Sequence, residues 1–365
     1  MDDLQYMERA IALAARAVGH THPNPMVGCV IVRDGQIVGE GWHRGPGTPH
    51  AEVDALAAAA DAAKGATAYV TLEPCNHHGN TPPCTEALIR AGIAEVVYAA
   101  SDPNPLAAGG AARLQEAGIS VRGGVAEAGA RDLIAPWLFS INADRPYTYA
   151  KLAMTLDGRT ATRNGESKWI TGPAARARGH LFRQRTDAIV VGIGTVLADD
   201  PSLDPRPVDA DPAPSTKVVL DTALRTSDAA RLFASEGQVI IACGSDASEA
   251  RRSRLCALGA GIIEMNGETP AARYVDVLRQ LKLRGIQSVL VEGGAQLLGS
   301  AFDSGTVDEV LAFIAPSLLG GGQPAIEGQG PEHLADLHKL QVVEQEWLGP
   351  DLFIRGKIER RKEAV

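Results

Sequence analysis

Three residues able to hold a soft metal stand within a short span: His50, Cys75 and Cys84, with Glu52 two places after the histidine. One imidazole and two thiolates suffice to bind zinc while leaving its fourth tetrahedral position open to water. Glu52 is too near His50 to point the same way along a helix, so it reads as a proton carrier beside the metal rather than a fourth ligand. Its catalytic role would be to move a proton between an activated water and a leaving group. The competing reading is a closed structural zinc site, or cysteines that bind nothing.

A His-x-Glu followed by Pro-Cys and a further Cys is the signature of zinc-dependent nucleobase deaminases. Here the two cysteines are separated by eight residues, Asn76 to Pro83, which build an extra lip carrying His77 and His78. Either histidine would close the site if it became a fourth ligand. Upstream, Pro23-Asn24-Pro25-Met26-Val27-Gly28 is a rigid loop that delivers the polar Asn24 side chain just before a strand; Asn24 either caps a turn or meets a substrate.

Several elements must position these groups. Leu4, Met7, Ile11, Ala14 and Val18 recur at helical spacing, predicting a helix over 3–18. Strand 27–32, an Asp34-Gly35 turn and Ile37-Val38 predict a hairpin. His50 opens an Ala-rich helix to about Ala63, the strand 68–72 delivers Glu73-Pro74-Cys75, and a helix over 85–91 starts beside Cys84. Further alternation follows: strand 95–100, helix 111–117, strand 119–121, and a helix over 125–141. Such alternation predicts a layered α/β sheet covered on both faces.

The chain has 365 residues, 45 % hydrophobic and 22 % charged, which suits two globular domains. Asn142-Ala143-Asp144-Arg145-Pro146 is a polar break, and the boundary is placed there, giving domains 1–145 and 146–365. Net charge is −9, with 10 Lys/Arg against 16 Asp/Glu in residues 1–145 and 25 against 28 beyond. Neither part has the basic excess needed to neutralise a phosphate backbone, so nucleic acid is disfavoured as a partner and a small molecule is favoured. Five cysteines without regular spacing suggest no disulfide framework. The acidic start, Met-Asp-Asp-Leu, and the lack of a long apolar run predict a cytoplasmic protein with no membrane segment.

The second domain shows no further zinc-like cluster. A strand over 147–155 leads into Leu156-Asp157-Gly158, a helix spans 174–185 and a strand spans 188–191. Gly192-Ile193-Gly194-Thr195 does not complete the dinucleotide fingerprint of a Rossmann site. Strand 288–291 ends in Glu292-Gly293-Gly294, and a helix starts near Ala295; such a turn suits a phosphate or pyrophosphate. Trp169 either packs in a core or flanks a planar ring. Arg183 and Arg206 have the forked donors that pair phosphate oxygens, although a solvated surface position is the commoner fate of an arginine.

Taken together, His50-Ala51-Glu52, the run from Pro74 to Cys84, Pro23-Asn24-Pro25 and Asp102-Pro103-Asn104-Pro105 resemble the deaminase half of the bifunctional riboflavin-biosynthesis deaminase/reductases. The later segments resemble their reductase half. The resemblance implies a cytidine-deaminase-like three-layer α/β/α domain followed by a dihydrofolate-reductase-like α/β domain. It implies zinc and NADPH as cofactors, and a homo-oligomer, dimer or tetramer. It also implies that 2,5-diamino-6-ribosylamino-4(3H)-pyrimidinone 5′-phosphate is deaminated and its ribosyl group then reduced to ribityl. Asn24, His77, Asp102 and Asn104 would line the first pocket. Ala153, Trp169, Thr195, Asp199, Thr222 and the stretch Gly294, Ala295, Gln296, Leu297, Leu298, Gly299 and Ser300 would contact NADPH. Lys151, Ser167, Arg183, Leu203, Arg206 and Glu292 would contact the second substrate. The chain departs from the family pattern at Asn80 and around Gly110-Ala111, where members often carry a basic residue.

Overall fold

The computed structural model describes residues 1–78, 82–105, 107–206 and 214–359. The chain divides into two compact units, Met1–Asn142 and Ala143–Val365. Among the described residues no helix is long and apolar enough to cross a membrane.

In the first unit the elements run α1 (Asp3–Ala14), β1 (Gly28–Arg33), β2 (Gln36–Trp42), α2 (Ala51–Ala59), β3 (Thr67–Leu72), α3 (Cys84–Ala91), β4 (Glu95–Ala100), α4 (Gly110–Glu116), β5 (Ser120–Gly123), α5 (Glu127–Leu133) and α6 (Ala135–Ser140). A capping box between Asp2 and Gln5 starts α1, where both side chains satisfy free backbone N–H groups. The sheet order is β2-β1-β3-β4-β5; β1 runs antiparallel to both neighbours, and β3, β4 and β5 are parallel. Successive residues of β1 face opposite sides, as the pleat requires. Cys29 and Ile31 pack with Ala51, Ala55 and Ala59 of α2 and Leu88 of α3. Val30 and Val32 pack with Met7, Ala10 and Leu13 of α1. The result is a three-layer α/β/α unit.

The alanines of α2 have a geometric purpose. A Cβ on Gly41 would fall 2.3 Å from the Ala55 backbone nitrogen, and one on Gly39 would fall 2.4 Å from the Ala55 carbonyl. Glycines on β2 and alanines on α2 therefore let the helix lie almost on the sheet, with its first turn fixed. The helix expected over 125–141 is instead two, α5 and α6, parted at Ile134. Pro136 has no N–H to continue the ladder, and its ring blocks the preceding turn.

The second unit contains β6 (Tyr147–Thr155), β7 (Arg159–Ala161), α7 (Pro173–Gln184), β8 (Ala188–Gly192), α8 (Ile193–Asp199), β9 (Thr216–Leu220), β10 (Val239–Cys243), α9 (Glu249–Ala257) and β11 (Gly261–Glu264). There follow α10 (Pro270–Leu283), β12 (Ser288–Glu292), α11 (Ala295–Asp303), β13 (Glu309–Ala315), β14 (Gln323–Pro324), β15 (Leu340–Leu348) and β16 (Asp351–Ile358). Among the described residues the main sheet has the order β11-β10-β9-β8-β12-β6-β13-β16-β15, and β7 pairs with β14 apart from it. The strands from β11 to β13 are parallel, and the β15–β16 hairpin closes one edge antiparallel. Helices cover both faces. Val190, Val218 and Val289 pack against Tyr274, Leu278 and Leu281 of α10; Val191, Val219 and Ile241 pack against Val196 and Leu255 from α8 and α9. Strands buried on both faces explain the unbroken apolar runs at 188–191 and 239–242.

Candidate active sites of the two units

In the first unit the ends of three elements converge. His50 caps the N-terminus of α2, Cys75 follows β3, and Cys84 opens α3. Their ligand atoms lie within 4.8 Å of one another, and among the described residues they form the one cluster of metal-ligating side chains. His50 Nδ1 stands 3.1 Å from Cys84 Sγ and 3.6 Å from Cys75 Sγ, and the Cys84 backbone N–H points to Cys75 Sγ at 3.5 Å. The Cys84 thiol, with His50, overcomes burial and holds Cys75 down to about 4. In turn Cys84 is pushed up by Cys75 and by burial. An imidazole and two converging sulfurs at this spacing fit zinc, whose charge would make both sulfurs thiolates.

Glu52 lies in the first turn of α2 and is only 3 % exposed. Burial pushes its carboxyl up, and the nearby Cys75 adds to this. It shares a cavity of ≈ 640 Å³ with His50 and Cys75, and Asn24, His77, Asp102 and Asn104 line the same cavity. Asp102 Oδ1 accepts the Asn104 backbone N–H at 2.8 Å, which fixes the loop after β4. His78 is exposed, its Nε2 3.7 Å from Glu86 Oε1, so it does not close the metal site. Asn80 lies outside the described residues.

Two supports went unnoticed in the sequence. His43 is buried, its Nε2 3.1 Å from Asn24 Nδ2 and its Nδ1 3.2 Å from the Pro49 carbonyl. It thus ties the Asn24 loop to the segment that delivers His50. Nothing in its own neighbourhood of the sequence marked it. Glu73 Oε1 accepts the Ala111 N–H at 3.0 Å, and Gly110 sits where a Cβ would be 1.8 Å from the Pro74 carbonyl. Glycine at 110 lets the start of α4 press against the Pro74-Cys75 turn; a side chain there would displace the ligand.

In the second unit a cavity of ≈ 600 Å³ opens at the carboxyl ends of β6, β8 and β12, the usual ligand position in a parallel sheet. Lys151, Ala153, Ser167, Trp169, Arg183, Thr195, Asp199, Leu203, Arg206 and Glu292 all line it. Lys151 and Glu292 are register partners on β6 and β12, their charged atoms 3.7 Å apart. Arg183 donates from Nε and Nη2 to Glu292 at 2.8 and 2.7 Å, and from Nη1 to the Asp204 carbonyl at 3.0 Å. Burial opposes the charge on Glu292, but Arg183 and Lys151 overcome it and hold the carboxyl at about 2. The fork expected to meet a phosphate is thus held by Glu292 and the Asp204 carbonyl, with one further N–H on each of Nη1 and Nη2. Arg206 has no ion pair among the described residues.

Trp169 is 68 % exposed and stacked under Arg176 at 4.4 Å, so it is no core residue. Thr222 lies beyond β9, exposed, its carbonyl accepting the Gly244 N–H at 2.9 Å, and does not reach the cavity wall. Of the stretch 294–300, Leu297 and Leu298 join the core and Gly299 is pressed against the Glu327 carbonyl. Ser300 bonds back to the Gln296 carbonyl. What Gly294, Ala295 and Gln296 offer is the start of α11, where Gly293 and Gly294 take φ of 76° and 82° and leave backbone N–H groups free for an anionic group. The cavity volume, its cations and this helix start fit a phosphorylated cofactor. His180, which sequence reasoning passed over, also lines this cavity.

Two family models match the chain: "RibD C-terminal domain" over residues 146–354, and "Cytidine and deoxycytidylate deaminase zinc-binding region" over residues 1–100. A riboflavin biosynthesis protein RibD of Actinobacillus pleuropneumoniae is 43 % identical, covering 97 % of this chain and 95 % of the relative. That of Escherichia coli K12 is 42 % identical, covering 96 % and 98 %. Among solved structures, Acinetobacter baumannii RibD matches with a TM-score of 0.87 at 40 % identity over 98 % of this chain and 99 % of that one. A diaminohydroxyphosphoribosylaminopyrimidine deaminase/5-amino-6-(5-phosphoribosylamino)uracil reductase of Thermotoga maritima matches with a TM-score of 0.85 at 33 % identity, covering 98 % of each chain.

Proposed function

Because this chain belongs to the RibD family of riboflavin-biosynthesis enzymes, we propose the residues through which its two units act and the order of their steps. The chain is a bifunctional deaminase and reductase, with a cytidine-deaminase-like unit and a dihydrofolate-reductase-like unit. Residues 1–145 carry the deaminase and 146–365 the reductase, a division supported by the spans of the two family models.

The observation that carries the first activity is the His50, Cys75 and Cys84 cluster with buried Glu52 on the same cavity wall. These three residues hold zinc. Zinc, when bound, supplies a Lewis acid that makes water acidic enough to act near neutral pH. Glu52 takes the water's proton and passes protons to the pyrimidine ring nitrogen and the departing ammonia. Its burial suits a group that must change protonation state twice in one turnover. Asn24, His77, Asp102 and Asn104 hold 2,5-diamino-6-ribosylamino-4(3H)-pyrimidinone 5′-phosphate over it.

In the second unit NADPH, when bound, supplies the hydride that converts the ribosyl group to ribityl. Ala153, Trp169, Thr195, Asp199 and the start of α11 hold the cofactor, and Lys151, Ser167, Leu203, Arg206 and Glu292 orient the substrate. Arg183 keeps Glu292 ionised and in place. A homo-oligomer is supported by β15, an edge strand with Val342, Val343 and Trp347 exposed. A cytoplasmic setting is supported by five free cysteines.

The test is ammonia release from the diaminopyrimidine nucleotide, with and without NADPH, together with metal content. Deamination should proceed without NADPH, and NADPH oxidation should require the deaminated product. Glu52→Gln should keep near-stoichiometric zinc and slow deamination by ~10²-fold or more. Parallel loss of zinc and activity would refute the proton-carrier role.

A further inference from the structure

The cavity of the second unit has a marked excess of positive charge. Its wall carries Lys151, Lys168, Arg176, Arg183, Arg206 and Arg231 against Asp199 and Glu292. Ion pairs answer three of these cations: Lys168 lies 2.9 Å from Asp199, and Arg183 and Lys151 lie 2.7 and 3.7 Å from Glu292. Of the other three, Arg176 stacks on Trp169, and Arg206 and Arg231 make no ion pair among the described residues.

His180 stands within this group, on α7 one turn before Arg183. It lines the cavity, yet its Nδ1 is shut away from solvent and has no hydrogen-bond partner among the described residues. A proton on Nδ1 would be a buried donor left unsatisfied, which costs more than a buried bare nitrogen. The neutral ring therefore carries its proton on Nε2. A second proton is opposed first by burial and then by Arg183, Arg206 and Lys151, which together outweigh Glu292 and hold the imidazole at about 4. The ring thus meets the cavity as a neutral N–H donor. In a wall of cations, such a donor adds direction to the binding of an anion without adding charge.

We propose that His180 is a substrate-binding residue of the reductase cavity, its Nε2–H donating to a phosphate oxygen of the substrate beside Arg206. This rests on the reading of the cavity as the site of a 5′-phosphorylated substrate. The division of labour with Arg183 follows from the geometry. Arg183 is tied to Glu292, and the phosphate is assigned to Arg206, which makes no ion pair among the described residues and whose charge acts on the His180 ring, together with that neutral imidazole one helical turn from Arg183.

The experiment is steady-state NADPH oxidation by the full-length wild type, His180→Leu and His180→Gln, at saturating NADPH. Each enzyme is given the 5′-phosphorylated deamination product and the same compound after phosphatase treatment. His180→Leu should raise KM for the phosphorylated compound by about tenfold, the scale of one hydrogen bond to a charged group, with kcat and KM for NADPH within about twofold. His180→Gln, which keeps a side-chain N–H, should recover most of the loss. On the dephosphorylated compound, wild type and His180→Leu should have the same KM. An equal loss on both compounds, or an unchanged KM on the phosphorylated one, would overturn the proposal. If wild type itself oxidised no NADPH, the assignment of the cavity as a reductase site would fail instead. Deamination rate and thermal midpoint of the same preparations report folding. Should His180→Leu fold poorly, His180→Asn takes its place in the comparison of the two compounds.

Discussion

Replacing Glu292 by glutamine should loosen the reductase unit at its sheet centre. The carboxylate is buried, accepts two Arg183 N–H groups at 2.8 and 2.7 Å, and has Lys151 Nζ at 3.7 Å. Glutamine fills the same space but leaves Arg183, whose side chain is 17 % exposed, without its counterion. Removing one partner of a buried pair costs about 3–5 kcal/mol. A second route gives a similar figure. Burial raises the carboxyl, Arg183 and Lys151 more than reverse this, and the fall from the ordinary 4.5 to about 2 corresponds to roughly 3 kcal/mol. Because the native value is depressed, this stabilisation is complete above pH 4.5 and is lost as pH falls toward 2. At pH 3 roughly 2 kcal/mol of it should already be gone.

Native-state hydrogen exchange of β6 and β12 amides reads this locally, without unfolding the deaminase unit. At pH 7 protection in Glu292→Gln should fall by about 10²- to 10³-fold, and the gap to wild type should shrink markedly at pH 3. The double variant Arg183→Leu/Glu292→Leu, which removes both charges, should recover much of the protection. A fall worth less than about 1 kcal/mol at pH 7, or a gap that does not close with acid, would refute the view that this pair organises the cavity.

Three further outcomes follow from the same geometry. Gly110→Ala puts a Cβ 1.8 Å from the Pro74 carbonyl; about 1–3 kcal/mol of overpacking should displace Cys75 and lower zinc per chain, measured by metal analysis, while NADPH oxidation persists. Gly299→Ala meets the Glu327 carbonyl at 2.0 Å and should lower the thermal midpoint of the reductase unit, read by calorimetry, without slowing deamination. Chelation should abolish ammonia release yet leave reduction of the preformed uracil intermediate, and added zinc should restore the first activity.

What could be read from the chain alone depended on how local each requirement is. A metal needs donors of one chemical kind delivered by rigid turns, and His50, Pro74-Cys75 and Pro83-Cys84 show that in their own neighbourhoods. Strand and helix spans were legible for the same reason, because alternation and capping are local. The break at Ile134 was missed although Pro136 signalled it, since apolar spacing continued across it. The state of a side chain is another matter. The sequence shows that Arg183 has a phosphate-binding fork, but not that Glu292, 109 residues later, takes it. That pairing exists because β12 lies beside β6 and carries its last residue to the rim under α7. His43 and His180 were passed over for the converse reason: each is a lone histidine in sequence, and only long-range packing gives it a cavity to face. Donor identity is thus a local property and donor availability a topological one. On the proposed reading, Arg206 and His180 therefore meet the substrate's phosphate while Arg183 holds Glu292.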